Sequence, residues 1–207
     1  MKKLLVLAPH TDDTEFGCGG TVARMIEEGY QVRCVAFSDC KESIPDDFPP
    51  DALAVEMYEA CQHLGLDKKD VQLLNYQVRR FNYERQRILE DLVSIRNDFK
   101  PDIVFTPCTS DIHQDHKTIT EEAIRAFKTS TIYGYELPWN LLELPSRCLF
   151  KLTEVQLQKK IDAIACYKSQ GFRPYRDREY TKALALTRGT RIGVNYAEAF
   201  EVIRIIH

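Results

Sequence analysis

Through its first two-thirds the chain alternates short apolar runs with amphipathic stretches. Residues 4–8 (Leu-Leu-Val-Leu-Ala) are apolar without interruption and run straight into a polar loop. That is the pattern of a buried parallel strand delivering its carboxyl end to a site. Residues 21–28 place Val22, Met25 and Ile26 on one helical face, and Gly29 stands where a left-handed glycine would end the helix. Residues 31–37 read as a second strand. Pro49-Pro50-Asp51 then breaks the chain and offers Asp51 as an N-cap, after which Leu53, Met57, Ala60 or Cys61, and Leu64 recur at helical spacing up to Gly65.

The alternation continues with a strand at 71–74 and a helix at 84–98 that buries Ile88, Leu92, Ile95 and Phe99. A further strand over 102–106 starts just past Pro101. After a loop at 107–116, a helix to about Phe127 and a strand over 132–136 complete a β-α-β-α-β-α-β-α-β order. Its natural product is an α/β fold, a Rossmann-like, mostly parallel sheet with helices on both faces. The remainder is less regular: Thr153 and Gln156 form a capping box for a helix to about Tyr167, and 197–205 reads as a last strand. With no repeat, low-complexity segment or linker, residues 1–207 are expected to form a single domain.

Composition narrows the class. Apolar residues make up 44% and charged residues 29%, which suits a globular chain and excludes disorder. The 28 basic residues are offset by 31 acidic ones without long blocks of either sign, so no nucleic-acid partner is implied. Too few apolar residues precede Pro9 for a signal sequence, and no later stretch is suited to a membrane span. Seven cysteines, an odd number without a C-x-x-C pair, fit reduced thiols. The expectation is a cytoplasmic protein, alone or as a homo-oligomer.

Ligands of open α/β sheets bind beyond the carboxyl ends of the strands, and two polar clusters fall there. The first is His10-Thr11-Asp12-Asp13-Thr14-Glu15, followed by Gly17-Cys18-Gly19-Gly20; the second is Asp111-Ile112-His113-Gln114-Asp115-His116. Charge at such a position is costly unless something uses it. A pair of capped helix starts, with Asp13 or Thr14 as cap and Asp115 as first-turn charge, explains one acid per loop. It does not explain three of the chain's five histidines beside adjacent carboxylates. A hydrolytic metal site wants a few N and O ligands and an open position. His10 and Asp13 on one loop, with His113 or His116 from the other, meet that need. Spacing leaves the choice of histidine open, and Asp115 between them is a natural hydrogen-bond partner.

These motifs resemble the PIG-L or LmbE-like family of N-acetylglucosaminyl deacetylases: His-x-Asp-Asp-x-Glu at 10–15, His-x-Asp-His at 113–116, and a tail of Arg188-Gly189 followed by Tyr196-Ala197-Glu198-Ala199-Phe200. The resemblance implies an LmbE-like fold and a hydrolase that removes the acetyl group from an N-acetyl sugar, a small-molecule substrate of the N-acetylglucosamine type. It implies a metal, Zn²⁺ or another divalent ion such as Fe²⁺, held by His10, Asp13 and His116. Asp12 would be the general base, and His113 an unligated catalytic histidine positioned and kept protonated by Asp115. The family usually has Pro where Thr11 stands and Ala where Pro9 stands.

Other residues carry weaker signals. Arg79 and Arg80 follow the third strand and can reach sugar hydroxyls or phosphate. From Lys168 to Arg191 there are seven basic residues against Asp177 and Glu179, interleaved with Phe172, Tyr175 and Tyr180. That stretch reads as solvated or subunit-facing surface, with a phosphorylated or nucleotide-linked sugar as the alternative reading. Gly17, Gly19 and Gly20 read as packing positions, with substrate contact as the alternative. His63, beside Glu56 and Glu59, falls on the polar face of the second helix and has no role. Three rivals remain: a metal-dependent amidase acting on a non-sugar amide, a dinucleotide-binding protein, and an inactive binding module. The dinucleotide fingerprint is broken, because its third glycine position falls at Val22. An inactive module would need neither Asp12 nor His113.

Overall fold

In the computed structural model, which describes residues 1–143 and 147–206, five strands run parallel: β1 (Lys3–Ala8), β2 (Gln31–Ala36), β3 (Val71–Leu73), β4 (Ile103–Pro107) and β5 (Thr131–Tyr135). Two more, β6 (Cys148–Leu152) and β7 (Tyr196–Arg204), are antiparallel, giving a seven-stranded sheet of order β3-β2-β1-β4-β5-β7-β6. The chain winds outward from β1 in one direction and then from β4 in the other. β1 and β4 therefore flank the point where the winding reverses.

Both faces of the sheet are covered, which is why the central strand β1 is apolar from Leu4 to Ala8. On one face Leu4, Val6 and Ala8 of β1 pack with Val22 and Met25 of α1 (Asp13–Glu27) and Met57 of α2 (Ala52–Leu64), and with Ala163 and Ile164 of α5 (Glu154–Ala165). On the other, Leu5 and Leu7 meet Ile88, Leu92 and Ile95 of α3 (Arg85–Phe99) and Ile119 and Ala123 of α4 (Gln114–Ala126). Gly65 ends α2 at φ 96°, and the Thr153–Gln156 capping box starts α5. Asp51 stands at the N-cap of α2 without a side-chain cap bond.

Other expectations need correction. The helix expected from residue 21 begins at Asp13 and runs through a kink at Cys18 (φ −146°, ψ 17°). The cap for its second segment comes from elsewhere: Glu198 of β7 accepts the N–H groups of Gly20 (3.0 Å) and Thr21 (2.6 Å). A Cβ on Gly17 would lie 2.2 Å from the Tyr135 ring and one on Gly20 2.5 Å from Leu152, so packing explains both. The pattern did not predict β6 or α6 (Arg178–Thr190). α6 buries Thr181, Ala185, Arg188 and Gly189 and has no apolar stripe to read. Glu56 is buried, not solvated, and accepts two hydrogen bonds from Ser169. Among the described residues no helix is long and apolar enough to cross a membrane.

Candidate active site

β1 hands the chain through Pro9 to Asp12 and into α1 at Asp13, while β4 hands it through Asp111 to α4 at Gln114. Because the two strands are parallel neighbours, both loops open at the same end of the sheet. Ring nitrogens of His10 and His116, 106 residues apart, face each other at 3.0 Å (Nδ1 to Nε2). Asp13 Oδ2 lies 3.3 Å from that His10 nitrogen and 3.4 Å from that His116 nitrogen. Ligands about 2.0–2.2 Å from one ion stand roughly 2.8–3.6 Å apart, depending on geometry. The triangle therefore has the size and the donors for a single small cation. His113 brings a ring nitrogen to within 4.8 Å of the other two histidines, a looser approach than that of Asp13.

The outward nitrogens are also held. His116 Nδ1 donates to Asp111 Oδ2 (2.8 Å) and His10 Nε2 to Asp115 Oδ2 (3.2 Å), so each ring turns its other nitrogen to the triangle, where a bound cation would replace its proton. Asp111 has a function that sequence reasoning missed; its only signal was its place in the loop. Asp115 requires a correction, because its carboxylate does not orient His113. It serves His10 and accepts the backbone N–H groups of Arg79 (2.6 Å) and Phe81 (3.3 Å). Arg79 is thereby fixed in a left-handed conformation, φ 66°. His113 is the N-cap of α4, and its Nδ1 accepts the Asp115 backbone N–H at 3.2 Å, which leaves the proton on Nε2.

Burial opposes charge here, yet carboxylates govern the outcome. Burial alone would lower His116, but Asp13 and Asp111 raise it to about 10. Burial would raise Asp13, but His116 and His10 hold it far below the usual carboxylate range. Asp12 is pushed up to about 6 by burial and by the charge of Asp13, against the pull of His10 and Arg173. His113 goes the other way, down to about 4, through burial and the charges of His116 and His10, which outweigh Asp115. The expected protonated His113 is thus corrected to a neutral one. Glu15, raised to about 8 by burial, lies beneath the loop against Tyr167 and Cys61 and is not part of the cleft. Tyr167 also donates to the Thr11 carbonyl (2.7 Å), bracing the loop where the family usually has Pro.

The triangle opens into a cleft of ≈ 180 Å³ walled by Phe16, Trp139, Tyr175, Gln170, Arg79 and Arg173. Asp12 and His113 also face it. Arg80 does not; its guanidinium lies over the Tyr83 ring at 5.6 Å. Trp139 stacks on Tyr175 with centroids 3.8 Å apart. Neither Trp139 nor Gln170 was singled out in the sequence, and Arg173 was visible only within the basic stretch.

Comparison with known proteins bears on this site. A family model described as PIG-L, GlcNAc-PI de-N-acetylase, matches residues 5–127. The chain is 26% identical over 179 residues to the uncharacterized deacetylase YaiS of Escherichia coli (strain K12), covering 81% of this chain and 91% of that one. The solved structure of GalB, the 4-carboxy-2-hydroxymuconate hydratase from Pseudomonas putida KT2440, superposes with a TM-score of 0.81 at 22% identity, over 100% of this chain and 99% of that one. N,N'-diacetylchitobiose deacetylase from Pyrococcus horikoshii does so with a TM-score of 0.79 at 24% identity, over 98% and 84%. At these identities the two structures are alike in fold.

Proposed function

Since this chain belongs to the PIG-L (GlcNAc-PI de-N-acetylase) family, we propose that it is a metal-dependent hydrolase removing the acetyl group from an N-acetylated amino sugar. The observation that carries this reading is the triangle of His10 Nδ1, Asp13 Oδ2 and His116 Nε2, with sides of 3.0, 3.3 and 3.4 Å, at the floor of a cleft that Asp12 and His113 also face. These three residues are the ligands, and Zn²⁺ or Fe²⁺ suits their mixed N and O donors. A divalent cation there supplies Lewis-acid polarisation of the acetyl carbonyl and makes water more acidic.

The remaining chemistry belongs to side chains. Asp12 forms none of the histidine contacts that engage Asp13, Asp111 and Asp115, so its carboxylate is free to take the proton of an attacking water. His113 donates its Nε2–H to the carbonyl oxygen as negative charge gathers there. When the C–N bond breaks, the proton on Asp12 passes to the departing amine and acetate is left. Asp111 and Asp115 hold the two ligating imidazoles in place.

The test is metal analysis of the purified protein together with amine release from a panel of N-acetyl sugars and non-sugar amides. Asp12→Ala should keep about one metal ion per chain while turnover falls about 10²- to 10⁴-fold, and His116→Ala should lose the metal. Wild-type turnover in Asp12→Ala would refute the base. Hydrolysis of the non-sugar amides alone would replace the substrate.

A further inference from the structure

Several arginines meet a carboxylate: Arg24 meets Glu28 (2.7 Å), Arg33 meets Asp98 (2.5 Å), and Arg125 meets Glu122 (2.6 Å). The two that wall the cleft, Arg79 and Arg173, are in no ion pair with a described residue. In a chain of net charge −3, positive charge at the cleft is a local feature. Resting on the deacetylase reading above, we propose that Arg173, with Arg79 in the same cleft, binds an oxyanion on the substrate. The enzyme then prefers an N-acetyl amino sugar carrying a phosphate or carboxylate to a neutral one.

Arg173 is held as a recognition group is held. Its Nε donates to Gln170 Oε1 at 2.7 Å, and its guanidinium lies 5.0 Å from the Phe172 ring centre and 5.7 Å from that of Tyr175. These contacts hold the guanidinium at the cleft wall. Gln170 in turn stands on a buried support. Ser169, next to it, donates both its N–H (2.9 Å) and its hydroxyl (2.6 Å) to the Glu56 carboxylate of α2. Glu56, Ser169 and Gln170 are 7%, 1% and 2% exposed. A buried carboxylate is costly, and this one anchors the short segment that carries Gln170 and Arg173. Asp12 and Arg173 line the same cleft, so a substrate anion on Arg173 would share that cleft with the reacting centre. A planar guanidinium grips phosphate or carboxylate with two parallel bonds, and ammonium does not.

The experiment compares kcat/KM for N-acetylglucosamine, its 1-phosphate, its 6-phosphate and N-acetylmuramic acid. It is run on wild type, Arg173→Gln, Arg173→Lys and Glu56→Gln. At least one charged sugar should be preferred, and the phosphate and carboxylate arms tell which anion is read. Arg173→Gln should reduce that preference about 10- to 100-fold, mainly through KM, with partial recovery in Arg173→Lys. Glu56→Gln should shift the same KM by a smaller factor at unchanged metal content. Titration calorimetry of the preferred sugar with metal-free protein should show binding that Arg173→Gln weakens. Equal use of neutral and charged sugars by wild type would overturn the inference. So would an Arg173→Gln enzyme that keeps its preference while losing kcat on every sugar, for then the arginine acts through Asp12. Absence of turnover on every sugar defeats the deacetylase reading, and the calorimetry still decides the anion.

Discussion

Phe16 divides two buried clusters of charge that have opposite characters. On one side Asp12, Asp13, Asp111 and Asp115 surround His10, His113 and His116, at a cleft of ≈ 180 Å³. On the other, Lys160 meets Glu198 (2.6 Å) and Arg188 meets Glu136 (2.8 Å) around a small pocket of ≈ 20 Å³. The second cluster is balanced, two cations for two carboxylates, and its hydrogen bonds tie α5, α6, β5's end and β7 to the kink of α1. The first is not balanced. Four carboxylates face three imidazoles, and His116 is raised to about 10 because the carboxylates around it hold a positive charge there. Burial is common to both. Excess charge of one sign and a roomier cleft set the candidate active site apart.

The sharpest way to break the contrast is to unbalance the structural cluster. Lys160→Met leaves Glu198 buried without its cation and should cost about 3–5 kcal/mol of stability. The double variant Lys160→Met/Glu198→Leu should recover much of that, while metal content stays at wild type in both. Thermal denaturation with metal analysis reads the result; metal loss in proportion to the fall in stability would merge the clusters into one. Next in size is the cation itself. Adding Zn²⁺ to metal-free protein at about 100 times its Kd should stabilise the fold by roughly 2.7 kcal/mol. His116→Ala should abolish that gain, and a gain that survives it would place the binding elsewhere. Smaller again is Asp111→Ala, which should weaken metal binding about 10- to 100-fold by freeing the His116 ring. Competition with a chelator of known affinity measures it, and unchanged affinity would deny Asp111 its orienting role.

The same contrast explains what was legible in the sequence. Strands buried on both faces are mostly apolar, so the five parallel strands and the helices between them could be placed from pattern, apart from the start of α1. The first cluster was readable because His10, Asp12 and Asp13 crowd the loop after β1, and His113 and His116 the loop after β4 and the start of α4. Its orienting bonds were not. Whether Asp115 serves His113 beside it or His10, 105 residues away, depends on how two loops meet. The second cluster was opaque for the same reason: Glu198 caps α1 from 178 residues away, and nothing near Gly20 signals a cap from β7. α6 escaped notice because Thr181, Ala185, Arg188 and Gly189, not large apolar side chains, fill its buried face.

The smallest predicted effect lies on the stretch of α1 that joins the clusters, where two glycines on either side of Cys18 have different surroundings. A methyl group on Gly17 would come 2.2 Å from the Tyr135 ring. That ring cannot retreat, because it is fully buried and its hydroxyl donates to the Leu7 carbonyl at 2.9 Å. Gly17→Ala should therefore cost about 1–3 kcal/mol through overpacking. A methyl on Gly19 meets nothing closer than 3.4 Å, an ordinary van der Waals distance to Leu64 and the Lys160 stem. There the helix gains from losing a glycine, and Gly19→Ala should be neutral or stabilising by up to about 1 kcal/mol. Melting temperatures moving in opposite directions would establish packing as the reason for glycine at 17. Were both glycines there to bring backbone N–H groups to the substrate, each alanine would lower turnover and neither would move the melting temperature.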